Sequence, residues 1–135
     1  MIHLDTTFLV DLLREQRRDT FGPASTYLEG LPDNEVLAVS VHVVCELMAG
    51  ALSARAPATE LEKVSKLCDA LVVQYPDHRF AVAYGRLLAR MHAAGAAIPA
   101  MDLLIGTAAM LDDAPLVTRN VRHFSKIPGL TVESH

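Results

Sequence analysis

Residues 1–16 read MIHLDTTFLVDLLREQ, and the fold turns on how the fifth of them is taken. Met1, Ile2 and Leu4 have the character of a short buried strand, and the next eight residues suit the first turns of a helix. Asp5 sits at the joint. A carboxylate withdrawn from water needs a partner. Ahead of Thr6 and Thr7 it can cap the helix by accepting its free amides. At the carboxyl end of a strand it can also serve as a metal ligand, because open α/β sheets place their sites there. The two roles are compatible, so residues elsewhere must decide.

Outward from this joint, strand-like pieces fall near Ile2–Leu4, Val36–Val39, Leu71–Gln74, Leu116–Thr118 and Leu130–Val132. Helical periodicity falls between them, near Thr6–Gln16, Pro23–Leu31, Val41–Leu52, Ala58–Asp69, His78–Ala94 and Ala100–Leu111. Such alternation predicts βαβ units with right-handed crossovers. The expected fold is an α/β three-layer sandwich, a mainly parallel central sheet with helices on both faces. The stretches LPDNE, ARAPAT, YPDH, GAAIPA, DDAP and IPGL supply the turn residues. No repeat, low-complexity stretch or linker divides the 135 residues, so one domain spanning 1–135 is expected.

A chain of this size buries about two thirds of its unfolded surface and can carry its own core. Its apolar runs are broken within a few residues by Glu, Arg, Gly or Asp, so no membrane span is expected. The start lacks the pattern of an export signal, and a cytoplasmic location is the expectation. Cys45 and Cys68 have no CxxC spacing and suit neither a disulfide nor zinc. Twelve Lys and Arg against sixteen Asp and Glu leave a net charge of −4. That balance argues against a protein that coats nucleic acid by bulk attraction, while leaving room for local arginines and a cation.

Three further stretches carry chemistry. In SVHVVCELMAGAL, Ser40 suits an N-cap and the helix after it is apolar enough to be buried on more than one face. Glu46 is then an anomaly that needs His42, one turn earlier, a reach to solvent past Gly50, or a bound cation. In IPAMDLLIGTAAML, Pro99 suits the first helical position and places Asp102 in the first turn, where the helix dipole favours an acid. In APLVTRNVRHFSKIPGLTV, a strand ending at Thr118 is followed by Arg119, Asn120, Arg122, His123 and Lys126. If that strand neighbours the first, these polar groups share the crevice of Asp5. Thr118 and Asn120 would then hydrogen-bond a water or carboxylate, and the basic side chains would grip phosphates or simply be solvated.

Each signal is weak alone, but their order is specific. The run hhLDTxhLhDhL, then S-x-x-x-x-x-E-L-x-x-G, then P-x-x-D-x-x-I-x-x-A, then L-V-T-x-N-x-x-H-F-x-x-I-P-G-L resembles the PIN-domain ribonucleases. Within them it is most similar to the VapC-type toxins of prokaryotic toxin–antitoxin pairs. The resemblance spans nearly the whole chain, from LDTTFLVDLL to HFSKIPGLTV. It implies a metal-dependent endoribonuclease cutting structured RNA such as tRNA or rRNA, leaving a 5′-phosphate and a 3′-hydroxyl. It implies that Asp5, Glu46 and Asp102 converge on Mg2+ or Mn2+, with Thr6, Ser40 and Thr118 as the small polar positions around them. It also implies a VapB-type antitoxin as partner and a homodimer. One departure stands out: a fourth acid is often found in the last block, where this chain has Asn120 and His123. His123 is then expected to organise water or support the acids, since imidazole suits manganese better than magnesium.

Three carboxylates in one crevice repel each other, and a divalent cation removes the conflict. Substrate contacts must come from elsewhere. Arg79, Arg86 and Arg90 are expected on one stripe of the helix from His78, opposite an apolar stripe of Phe80, Tyr84, Leu87, Leu88 and Met91. Arg14, Arg17 and Arg18 form a second basic group. Competing functions fare worse. A haloacid-dehalogenase phosphatase needs a second Asp where Thr7 stands, and a receiver domain needs an acid in the third strand, which reads LVVQY. A nuclease for DNA or flaps would need further strand-gripping segments. A catalytically degenerate PIN fold that only holds a partner protein or RNA is the alternative from a different class.

Overall fold

A computed structural model describes residues 1–135. The chain runs β1 (Ile2–Leu4), α1 (Thr6–Arg17), α2 (Pro23–Glu29), β2 (Leu37–Ser40), α3 (Val41–Leu52), α4 (Pro57–Asp69) and β3 (Val72–Gln74). It continues through α5 (Phe80–Ala93), α6 (Ala100–Leu111), β4 (Leu116–Val117), α7 (Val121–Phe124) and β5 (Val132–Glu133). The five strands form one sheet in the order β3-β2-β1-β4-β5. Every pairing is parallel.

This order fixes where a site can be. The chain leaves β1 in the middle, builds β2 and β3 on one side, and returns to lay β4 and β5 on the other. The order therefore reverses between β1 and β4, and a doubly wound sheet opens its crevice at the carboxyl ends of such a pair. Asp5 follows β1 and Thr118 follows β4, with His3 paired to Leu116 and Leu4 to Val117.

The core explains the short, apolar strands. All three residues of β1 are buried, as are Ala38, Val39 and Ser40 of β2 and both residues of β4. Strands covered on both faces lose the usual alternation of polar and apolar residues. Phe8, Leu9 and Leu12 of α1, Val43, Leu47 and Ala51 of α3, and Leu103, Ile105 and Ala109 of α6 close on them. Burying each large side chain contributes about 1.5–3 kcal/mol. His3 is fully buried in this core, its Nε2 lying 2.6 Å from Asp112 Oδ2. Burial lowers its pKa from 6.5, against the opposing pull of the Asp112 carboxylate.

Four expectations need correction. α3 buries only Val43, Leu47 and Ala51, one stripe at helical spacing, and Glu46 is exposed. The helix expected from His78 begins at Phe80, because the Asp77 carboxylate holds Arg79 in the turn before it. β5 pairs through Val132 and Glu133, because Gly129 at φ 81° completes a turn that reaches Leu130. The segment after Thr118, read as loop, contains the four-residue helix α7. It is too short for periodicity to reveal. No helix is long and apolar enough to cross a membrane, and Cys45 and Cys68 are free thiols.

Candidate active site

Asp5 occupies the N-cap position of α1 but makes no capping bond. Its partners are two hydroxyls. Thr118 Oγ1 donates to Oδ2 at 2.7 Å, and Thr7 Oγ1 donates to the same oxygen at 3.0 Å. Each hydroxyl has a single proton. Both protons are committed to Asp5, so the hydroxyl oxygens are free to accept from behind. Thr118 Oγ1 accepts from the Asn120 amide at 2.9 Å, and Thr7 Oγ1 from the Arg119 amide at 3.0 Å. The loop after β4 is thereby wired through two threonines to the carboxylate after β1. Asp5 is 3% exposed, Thr118 is fully buried, and Asp5 Oδ1 has no protein donor yet is not sealed from solvent.

The other two acids flank this pair. Glu46, on the exposed side of α3, accepts from Thr6 Oγ1 at 2.6 Å. Its anticipated pairing with His42 is not formed: His42 stacks on Phe80 with ring centroids 5.5 Å apart. Asp102 stands in the first turn of α6, its Oδ2 3.0 Å from His123 Nδ1. Asn120 Nδ2 reaches the same imidazole nitrogen at 2.9 Å. That nitrogen can donate to Asp102 or accept from Asn120, but not both at once.

Asp5 is thus linked through Thr118 to the amide of Asn120, and His123 stands between Asn120 and Asp102, bonding one of them at a time, while Thr6, next in the chain to Asp5, holds Glu46. The structure does not bring the three acids to a single point. They border one edge of the sheet, but no three Asp, Glu, His or Cys side chains stand close enough to share one ion. The reason is electrostatic. Like charges separate, and here Glu46 is drawn to Thr6 and Asp102 to His123. No lysine or arginine pairs with any of the three acids. Oxygen donors with uncompensated charge, one of them a spare oxygen on a buried carboxylate, suit a hard divalent cation in kind.

The remaining residues divide. Ser40 Oγ caps α3 by accepting from the Val43 amide at 3.2 Å and touches none of the acids. Arg119 Nη1 donates to Asp11 Oδ1 at 2.8 Å. Arg122 and Lys126 are exposed around α7. Arg86 and Arg90 are exposed on α5, but Arg79 lies outside that helix and pairs with Asp77 at 2.9 Å, so the three-arginine stripe is reduced to two. Thr7 was not anticipated as a partner of Asp5. The LDTT run offers two threonines, and only helix geometry shows that the second points back to the carboxylate.

A match to the PIN domain family model over residues 2–130 carries this geometry into a known class, and the chain belongs to that family. Its relatives within the family bear the name VapC. Ribonuclease VapC19 of Mycobacterium tuberculosis is 34% identical over 94% of both chains. Ribonuclease VapC2 of Rickettsia felis is 31% identical, covering 83% of this chain and 85% of its own. Among solved structures, VapBC2 of Rickettsia felis bound to a promoter DNA fragment superposes with a TM-score of 0.88 at 27% identity, covering 100% of this chain and 99% of the other. VapBC-1 of nontypeable Haemophilus influenzae gives 0.85 at 26% identity, covering 99% and 98%.

Proposed function

We propose that this chain is a metal-dependent endoribonuclease, the toxin of a toxin–antitoxin pair, cutting structured RNA such as tRNA or rRNA in the cytoplasm. The observation that carries the reading is Asp5, a buried carboxylate fixed by two hydroxyls, with one oxygen in reserve and no cationic side chain. The names of the VapC relatives supply the reaction and the substrate class.

Asp5, Glu46 and Asp102 would hold Mg2+ or Mn2+. When bound, such an ion acidifies water and neutralises the charge that builds on a phosphodiester under attack. The protein's own part is positional. Thr7 and Thr118 keep the Asp5 carboxylate from rotating, and His123 orients Asp102 when its Nδ1 carries the proton. No protein nucleophile is required. Arg119, Arg122 and Lys126 surround this edge as contacts for phosphates, which position the strand without reading its bases. Arg86 and Arg90 serve RNA or antitoxin contact from α5.

A VapB-type antitoxin is the partner this reading calls for, since the structural neighbours are VapBC complexes. A cleft of about 170 Å3 beside Glu46, lined by Val10, Leu13, Leu47, Ala51 and Val64 and edged by Arg17 and Glu60, suits an amphipathic partner segment passing the acids. A second copy of the chain completes the assembly as a homodimer.

One observation favours a second reading, a degenerate module that only holds a partner: His123 stands where the family often has a fourth acid, and no three ligands are within reach of one ion. RNA cleavage by purified protein separates the two. The enzyme reading expects cleavage that chelator abolishes and Asp102→Asn loses at least 100-fold. Equal, negligible cleavage by both proteins with manganese present would leave the module. Induced expression without a partner adds the toxin test: the wild-type chain should arrest growth and Asp102→Asn should not.

A further inference from the structure

Asp11 lies six residues beyond Asp5 on α1, roughly 9 Å along the helix axis. It belongs to no acid cluster. Its Oδ2 is 2.9 Å from His135 Nε2, and that imidazole is 1% exposed, packed edge-on against Phe8 at 4.8 Å between centroids. The buried ring fixes the plane of the carboxylate and leaves Oδ1 facing outward. Two guanidinium groups converge on that one oxygen: Arg119 Nη1 at 2.8 Å and Arg14 Nη1 at 3.2 Å. Asp11, Arg14, Glu15, Arg119 and His135 line a cleft of about 310 Å3.

Charge and connectivity show what the arrangement can do. Glu15 also borders the cleft, but its carboxylate is spent on the amides of Gly22, Ala24 and Ser25 at 2.8–3.0 Å. Two guanidiniums against the carboxylates of Asp11 and Glu15 leave the cleft with no net charge, so what it offers an anion is aimed donors rather than excess positive charge. A guanidinium carries five N–H donors in a rigid fork. Arg119 commits one of them to Asp11, so most of its fork still faces the cleft. Arg119 is also the residue between Thr118 and Asn120, the two that hold Asp5 and His123, and its own amide is bound to Thr7. Arg119 is therefore placed at the border of the acid crevice, tied by its own backbone to the threonine that holds Asp5.

We infer that Asp11 is a positioning residue, aiming Arg119 at a phosphate of the RNA strand next to the one cut. This rests on the ribonuclease reading for the identity of the strand. Arg119 is 55% exposed, and an ion pair so exposed adds little to stability. What the pair supplies is geometry: a long side chain that would otherwise sample many rotamers is held in one.

The test is direct because charge alone predicts the opposite sign. Removing an acid from an anion-binding face should strengthen binding, whereas removing the group that aims Arg119 should weaken it. Binding of a labelled single-stranded RNA oligonucleotide is measured by fluorescence anisotropy in excess chelator, over a series of salt concentrations. Asp11→Asn is expected to bind about fivefold more weakly than wild type and to lower the salt slope by about 0.7, the contribution of one phosphate on a single strand. Arg119→Ala should do the same, and the double variant should add nothing further. Arg119→Lys leaves α1 untouched and keeps the charge without the fork, so it should bind more weakly than wild type while keeping the wild-type salt slope. Binding by Asp11→Asn equal to or tighter than wild type overturns the inference. So does wild-type binding by Arg119→Lys, or no RNA binding by wild type. Failure of the ribonuclease reading shows separately, as absence of metal-dependent cleavage in a chain that keeps the expected binding pattern.

Discussion

The two ends of α1 each carry a buried carboxylate, and they are used in opposite ways. Glu15, in the last turn and 7% exposed, accepts the amides of Gly22, Ala24 and Ser25 and so joins α1 to the start of α2. A methyl group on Gly22 would meet its Cδ at 2.7 Å, so the carboxylate sits directly against backbone. Burial works to raise its pKa, but the hydrogen bonds from Ser25, Ala24 and Gly22 outweigh that and hold it at about 2. Asp5, at the other end and 3% exposed, receives two hydroxyls on a single oxygen and keeps the other in reserve. A carboxylate whose bonds are all made inside the protein is structure. Asp5 keeps a free oxygen at the carboxyl edge of the sheet, and the proposed function rests on that difference.

The contrast is broken most severely at Asp5. Asp5→Asn should cut RNA cleavage by at least 100-fold, about 2.7 kcal/mol at the barrier, with the melting temperature unchanged or higher. A matched loss of stability would make Asp5 a structural acid like Glu15. The mirror experiment is Glu15→Ala, which orphans three amides and should cost about 3 kcal/mol, seen as a melting temperature lower by roughly 10 °C. Cleavage per folded molecule should be unchanged.

Acid titration sharpens the comparison. His3 has its pKa lowered from 6.5, so the native state resists its protonation: its contribution is whole above that value and declines as the pH falls below it. Glu15, held at about 2 against an ordinary 4.5, contributes fully above 4.5 and is lost as the pH drops from there toward 2. Urea denaturation across this range should show two successive declines, with His3→Gln removing the upper and Glu15→Gln the lower. The smallest effect is expected at Thr7→Val, which takes one of two donors from Asp5. About 1 kcal/mol in cleavage, a several-fold loss, is the predicted scale.

Much of this was legible in the sequence because strong local rules act at the right places. The alternation of short apolar strands with amphipathic helices predicts the parallel sheet that is found, and the places of Asp5 after β1 and Thr118 after β4 follow from it. Ser40 capping α3 and Asp102 in the first turn of α6 follow from helix-end chemistry alone. The unread parts depend on contacts between residues far apart in the chain. Thr7 and not Thr6 serves Asp5, because the Thr6 hydroxyl is taken by Glu46 of α3. Glu46 faces outward because α3 buries one stripe, a matter of packing that its apolar composition conceals. Glu15 reads as one more surface acid in LLREQRR until α2 presents three amides to it.

The central claim is that Asp5 keeps an oxygen for a divalent cation. Thermal unfolding of wild type and Asp5→Asn, each with chelator and with manganese in excess, tests it without any need for RNA. A ligand that binds only the folded state raises the melting temperature by mass action. Manganese should stabilise the wild-type chain, by about 2.7 kcal/mol at a concentration 100 times its dissociation constant, and leave Asp5→Asn where chelator leaves it. An equal rise in both proteins, or none in wild type, would contradict the account.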